Sequence, residues 1–133
     1  MKEITAYIDG ASKGNPGKAS IGIVIYSEGV LLKKISASIG EATNNIAEYT
    51  ALITALIECL QYKPEKLEIR SDSQILIRQM QGSYRVRDKY LQKLYFIATH
   101  LIALYNNVSF IHIPREENKE ADKVAQNSLQ DNI

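Results

Sequence analysis

The stretch SIGIVIYSEGVLLKKISASIG, Ser20–Gly40, decides how this chain folds. Ile21, Ile23 and Ile25 share one face of a first apolar run, a period of two that marks a strand. Leu31, Lys33, Ile35, Ala37 and Ile39 share a face of the second, where Lys33 argues against complete burial. Glu28-Gly29 between them reads as a tight hairpin turn. Upstream, ITAYID sets Ile4, Ala6 and Ile8 against Thr5, Tyr7 and Asp9, which adds a third strand. Downstream the pattern changes. NIAEYTALITALIECL carries Tyr49, Leu52, Ile53, Leu56 and Leu60 at helical spacing. KLEIRSD after Pro64 is a short strand, and SQILIRQMQG a helix capped by Ser or Asp and stopped at Gly82. A longer helix bears Leu91, Leu94, Tyr95, Ala98, Leu101 and Ile102. VSFIHI is a fifth strand ended by Pro114, and a last helix starts near Asn118 with Ala121, Val124, Ala125 and Leu129 on its apolar side. The order is β-β-β-α-β-α-α-β-α, an α/β fold. A meander followed by helix-linked strands implies a mixed sheet with helices on its faces.

The chain has 133 residues, enough for one domain, read as 1–133, with a real core. The hydrophobic share of 45% and charged share of 23% are those of an ordinary soluble protein. The formal net charge of +1 supplies no global basic field, so any polyanion would have to be held locally. No charged-then-apolar leader and no apolar run of membrane-spanning length are visible, so no membrane association is expected. The single cysteine, Cys59, lies in a helical apolar run and reads as a buried, inert thiol. A reducing, cytoplasmic setting and a monomer are the expectations that follow.

In YIDGASKGNPG, Tyr7–Gly17, an aspartate closes an apolar strand just before a turn. Asp72 closes the KLEIRSD strand. If those strands are parallel neighbours, the two carboxylates meet. Glu48 sits in the first turn of the helix after strand three, and Asp122 in the first turns of the last helix. Ligand sites of open sheets form beyond strand ends where connections diverge, and each of the four occupies a place from which a side chain could reach one sheet edge. Carboxylates crowded together resist ionising. A hard divalent cation removes that penalty, and a cluster without paired histidines or cysteines favours magnesium or manganese over zinc. Such a site suits phosphoryl transfer or phosphodiester hydrolysis. Taken singly, each residue reads first as a strand-end or helix carboxylate of the kind that caps amides and complements the dipole; only the constellation says more.

Four segments, YIDGASKGNPG, TNNIAEYTALITAL, IRSDSQ and REENKEADKVA, stand in the order and spacing of type 1 ribonuclease H, and the chain resembles that family from Lys2 to about Leu129. The resemblance implies a ribonuclease H-like fold, a five-stranded mixed sheet flanked by helices. It implies an endoribonuclease that hydrolyses the RNA strand of RNA–DNA hybrids with two magnesium ions, leaving 5′-phosphate and 3′-hydroxyl ends. Asp9, Glu48, Asp72 and Asp122 would then be the catalytic metal ligands. Asp9 would bridge both ions, Asp72 and Asp122 would complete one shell and Glu48 the other. Glu48 would also touch a ribose 2′-hydroxyl, the group that distinguishes RNA from DNA. By the same resemblance Gly10, Ala11, Ser12 and Asn15 would follow the hybrid's minor groove. Asn44 and Asn45 would read base edges and ribose, and Thr43 would hold a DNA phosphate. Read without the family, TNN is a helix cap and GNPG a turn.

Two departures from the family pattern stand out. Many members carry a histidine on a loop before the last helix. Here HIPREENKEAD has none between Pro114 and Asp122, His112 lies in a strand and His100 in a helix, and a slower enzyme is expected. Glu116 and Glu117 are weak substitutes. Some members also have a tryptophan-bearing basic handle; this chain has no Trp, and only YRVRDKYLQK stands in that region, where Arg85, Arg87 and Lys89 could make a modest phosphate contact. Weak substrate binding with steep salt dependence is therefore expected. The alternatives are a hybrid-binding module without catalysis, and a nuclease of the same scaffold for double-stranded RNA or branched DNA.

Overall fold

The computed structural model describes residues 2–131. The elements are β1 (Glu3–Ser12), β2 (Gly17–Ser27), β3 (Val30–Ala42), α1 (Asn44–Cys59), β4 (Lys66–Ser71), α2 (Gln74–Met80), α3 (Lys89–Ile102), β5 (Val108–His112) and α4 (Lys119–Asp131). Their order is the one expected from the sequence. The sheet runs β3-β2-β1-β4-β5. β1, β2 and β3 pair antiparallel, while β1–β4 and β4–β5 are parallel.

The Glu28-Gly29 hairpin forms because both residues accept positive φ, 50° and 83°. That is the turn whose twist matches the strands it joins. One detail of the expected β3 face is different. Tyr26 pairs with Leu31 but Ile25 pairs with Lys33, so Leu32 is an extra residue in the ladder. This bulge turns Leu31 away from the face of Lys33 and lets Leu32 pack on the core. Lys33, at the margin of that face, reaches Glu58 of α1 at 2.6 Å.

The two faces of the sheet are covered unequally. Ile4, Ala6, Ile8, Ile21, Ile23, Ile25, Leu67 and Ile69 meet Tyr49, Leu52 and Leu56 of α1, Leu76 of α2, and Leu91 and Ala98 of α3 in one core. Such fully buried aliphatic side chains contribute about 1.5–3 kcal/mol each. On the opposite face α4 lies alone, packing Ala121 and Val124 on Val24. Three side-chain caps end the orphan amides of the other helices: Thr43 to Ile46 N, Ser73 to Leu76 N, and Asp88 to Tyr90 N and Leu91 N. Ser73 is the cap of α2, which leaves Asp72 uncommitted to that role.

α4 approaches the sheet at backbone distance. A Cβ on Gly22 would stand 2.2 Å from Ala121 O and 2.5 Å from Ala125 N. Ser20 Oγ donates to Ala125 O at 2.5 Å and Ser36 Oγ to Val124 O at 2.6 Å, which fixes the helix along its axis. Gly22→Ala must therefore push α4 off the sheet. A loss of about 1–3 kcal/mol of stability is expected, measured by urea denaturation.

Candidate active site

The register of β1 and β4 sets the first two carboxylates. Tyr7 pairs with Arg70 in the parallel ladder, the last pair of that interface. Two residues further along each chain stand Asp9 and Asp72, on the same side because strand side chains repeat every second residue. Asp9 does not end its strand, as the sequence suggested. β1 continues to Ser12 because β2 still pairs with it, Asp9 with Gly22 and Ser12 with Ala19, after β4 has left for α2. The divergence of these two connections makes the crevice.

Glu48 arrives from α1, in its second turn and not the first, since the helix starts at Asn44. Gly10 makes this possible. A Cβ there would lie 2.4 Å from the Ala47 carbonyl carbon and 2.5 Å from Glu48 N, so only glycine admits the helix this close. Gly10 N then donates to Glu48 Oε1 at 2.7 Å. Oxygens of Asp9, Glu48 and Asp72 all lie within 4.8 Å of one another. Asp122, in the first turn of α4, lines the same cleft and stands against the Asp9 carboxylate.

The cleft holds about 500 Å³ and is also lined by Gly10, Ala11, Ser12, Asn44, Asn45, Ser73, Arg115 and Gln126. Two residues assigned by resemblance, Asn15 and Thr43, do not line it. They build its rim: Asn15 Oδ1 accepts from Asn44 N at 3.0 Å, and the Thr43 hydroxyl is the α1 cap. Ser12 Oγ donates to Ala42 O at 2.9 Å, tying the same rim to β3. His112 and His100 are exposed, and neither lines the cleft; His100 stacks on Phe96 with centroids 4.1 Å apart.

Sequence reasoning missed Arg115, Gln126 and Ser73. The signals were present. β5 is parallel to β4, Ser71 opposite His112, so the chain just past β5 emerges at the same sheet edge as Asp72. Arg115 belongs to that segment. Gln126 follows Asp122 by four residues and shares its helix face. Ser73 simply follows Asp72.

The electrostatics of the cluster point one way. Asp9 is only 6% exposed, and burial first, then the charges of Glu48, Asp72 and Asp122, push its carboxyl up to about 9. Burial likewise pushes Glu48 up to about 8, against the opposing hydrogen bond from Gly10 and with help from Asp72. These groups cannot all ionise without a cation among them. Every donor is a carboxylate oxygen, so the residues fit magnesium or manganese and offer nothing to prefer zinc.

Fold and carboxylate constellation together define a ribonuclease H-like domain. A family model described as reverse transcriptase-like matches residues 7–128. Ribonuclease HI of Halobacterium salinarum is 39% identical over 129 residues, 96% of this chain and 65% of that protein. Bifunctional protein Rv2228c of Mycobacterium tuberculosis is 33% identical over 91% of this chain and 34% of its own length. The chain thus spans about two thirds and one third of these relatives. The crystal structure of RNase H1 from the halophilic archaeon Halobacterium salinarum superposes with a TM-score of 0.94 at 38% identity, covering 97% of this chain and 98% of that one. LC11-RNase H1, crystallised in complex with RNA/DNA hybrid, does so with 0.93 at 40% identity and the same coverages. The chain belongs to the ribonuclease HI family.

The raised carboxyls have a consequence for stability. In the folded protein Asp9 and Glu48 keep their protons through a range, from about pH 4 to pH 8–9, in which the unfolded chain has lost them. Folding then takes up protons, so stability of the metal-free protein falls as pH rises through that window. A Tm about 5 °C or more lower at pH 9 than at pH 5.5 is expected by calorimetry. Millimolar magnesium should restore most of it, and Asp9→Asn should flatten the slope.

Proposed function

We propose that this chain hydrolyses the RNA strand of RNA–DNA hybrids, leaving 5′-phosphate and 3′-hydroxyl ends. The observation that carries the reading is the convergence of Asp9, Glu48, Asp72 and Asp122 in a cleft whose rim displays two amides, Asn44 and Asn45. Support comes from relatives named ribonuclease HI and from LC11-RNase H1 bound to RNA/DNA hybrid.

In this reading Asp9, Glu48, Asp72 and Asp122 hold two magnesium ions, with manganese as a substitute. When bound, such ions activate water and neutralise charge on the departing oxygen. The protein's own part is placement. Asp9, central to the cluster, would hold the ions together with the carboxylates around it. Glu48, held by Gly10 N, keeps its second oxygen for an ion or a 2′-hydroxyl, the chemical mark of RNA. Asn44 and Asn45 offer both donors and acceptors at the helix start, suited to sugar and base edges in a minor groove. Gly10, Ala11 and Ser12 present a low wall that a ribose can approach. Asn15 and Thr43 shape that wall from behind; we assign a DNA-phosphate contact to Thr43 only through its exposed surroundings at the α1 start. Among the described residues Arg115 is the one cation lining the cleft, and it is placed to contact a phosphate.

A monomer in a reducing, cytoplasmic setting belongs to the same reading. Cys59 is buried, its thiol pushed up to about 12 by burial and by neighbouring Glu58, and so kept inert. No described helix is long and apolar enough to cross a membrane.

Incubation of labelled duplexes with the protein and magnesium tests the proposal. RNA in hybrid should be cut, and double-stranded RNA, double-stranded DNA and branched DNA should not. Binding of hybrid without cleavage in either ion would mark a non-catalytic module instead. Asp9→Asn should lower kcat by about 10³-fold or more with the fold intact, because it removes charge and not volume. With Arg85, Arg87 and Lys89 as added phosphate contacts, affinity for hybrid should also fall between 50 and 200 mM salt, by about tenfold or more, measured by KM.

A further inference from the structure

An uncharged residue links the acidic segments of the cleft. Asn118 is 1% exposed and lies between the turn Arg115–Glu117 and α4. Its backbone carbonyl accepts from Asp122 N at 3.1 Å, the bond that opens α4. Its Nδ2 donates to Ile8 O at 2.9 Å, the peptide immediately before Asp9. The same Nδ2 stands 3.4 Å from Asp72 Oδ2. One residue therefore binds the backbone beside Asp9, the carboxylate of Asp72 and the backbone of Asp122.

The orientation of the amide is dictated by its neighbours. A carbonyl and a carboxylate both accept, so the NH₂ end must face them. The cost appears at the other end: Oδ1 is buried without a hydrogen-bond partner among the described residues. An unsatisfied buried acceptor costs about 1–3 kcal/mol, so an apolar side chain of similar volume would serve packing better. What only the amide supplies is two protons aimed at two acceptors. Asp72 has particular need of one. It lies just beyond the last residue of β4, where no ladder pair holds it, and its neighbour Ser73 faces α2 as a cap.

We propose that Asn118 is a positioning residue of the carboxylate centre, locking Asp72 in register with Asp9 so that both can bind one cation. The inference rests on reading the cleft as a divalent-cation site of a nuclease. Outer residues that orient ligand carboxylates typically govern metal affinity by 10–100-fold. Asn118 thus acts on the ion through Asp72 and has no part in gripping the hybrid.

The test compares wild type with Asn118→Ala and Asn118→Leu by calorimetric titration with manganese, without nucleic acid. The leucine variant fills the space and removes the orphan acceptor, which keeps a folded comparison if alanine does not fold. Both variants should bind manganese about 10-fold or more weakly. The magnesium concentration for half-maximal hybrid cleavage should rise by the same factor, while KM for hybrid at saturating magnesium stays put. A lowered Tm with unchanged manganese affinity would reduce Asn118 to a packing residue and overturn the proposal. Failure of the wild type to cleave hybrid would sink the nuclease reading alone, since the calorimetric comparison does not use substrate. A wild type that binds neither ion would end both.

Discussion

Mutual repulsion among buried carboxylates is the constraint to which the rest of this structure answers. Asp9, Glu48 and Asp72 come within 4.8 Å through three different elements, and Asp122 joins them from a fourth. Left alone, none of those charges wants the others nearby. The framework must therefore be rigid enough to hold groups together that would separate if free. The single large core on one face of the sheet provides that rigidity, with β1 at its centre flanked by β2 and β4. Asp9 stands on the central strand of the sheet, buried beside Glu48, Asp72 and Asp122.

Close approach of backbones, achieved by two glycines, brings in the remaining partners. Gly10 lets α1 settle on β1 until Glu48 can accept from a strand amide. Gly22 does the corresponding work on the opposite face for α4, assisted by two serine hydroxyls bonded to helix carbonyls. The two faces are thus used asymmetrically but for one end: a helix on each side of the sheet delivers one carboxylate to the same crevice. Asn118 then links β1, the segment after β4 and the start of α4. Residues that carry no charge of their own decide where the charges stand.

The cleft that results is acidic at its floor and polar at its rim, where Arg115 also stands. A polyanion approaching such a floor meets carboxylates first, a repulsion that a divalent cation would relieve. A formal net charge of +1 is compatible with that arrangement, because the charge that matters here is local. The cleft also bears on the missing loop histidine. The segment where it would lie is a short turn, Arg115–Glu117, which presents a fixed cation to the cleft instead of a titrating group.

Periodicity was sufficient to read the element order, the Glu28-Gly29 hairpin and the helix stop at Gly82, because each depends on neighbours within one or two turns of chain. The four acids were legible through motif spacing, which stands in for contacts the eye cannot see. Other features were hidden for the opposite reason. The bulge at Leu32 depends on how β3 meets β2, and the extension of β1 past Asp9 on a partner strand that stays when another leaves. Arg115 enters the cleft only because β5 lies parallel to β4, and Asn118 matters only because three segments remote in sequence meet at its amide. Local conformational preference and side-chain period are written residue by residue along the chain; register, close approach and the partner of a buried proton are properties of pairs, and pairs exist only once the chain has folded.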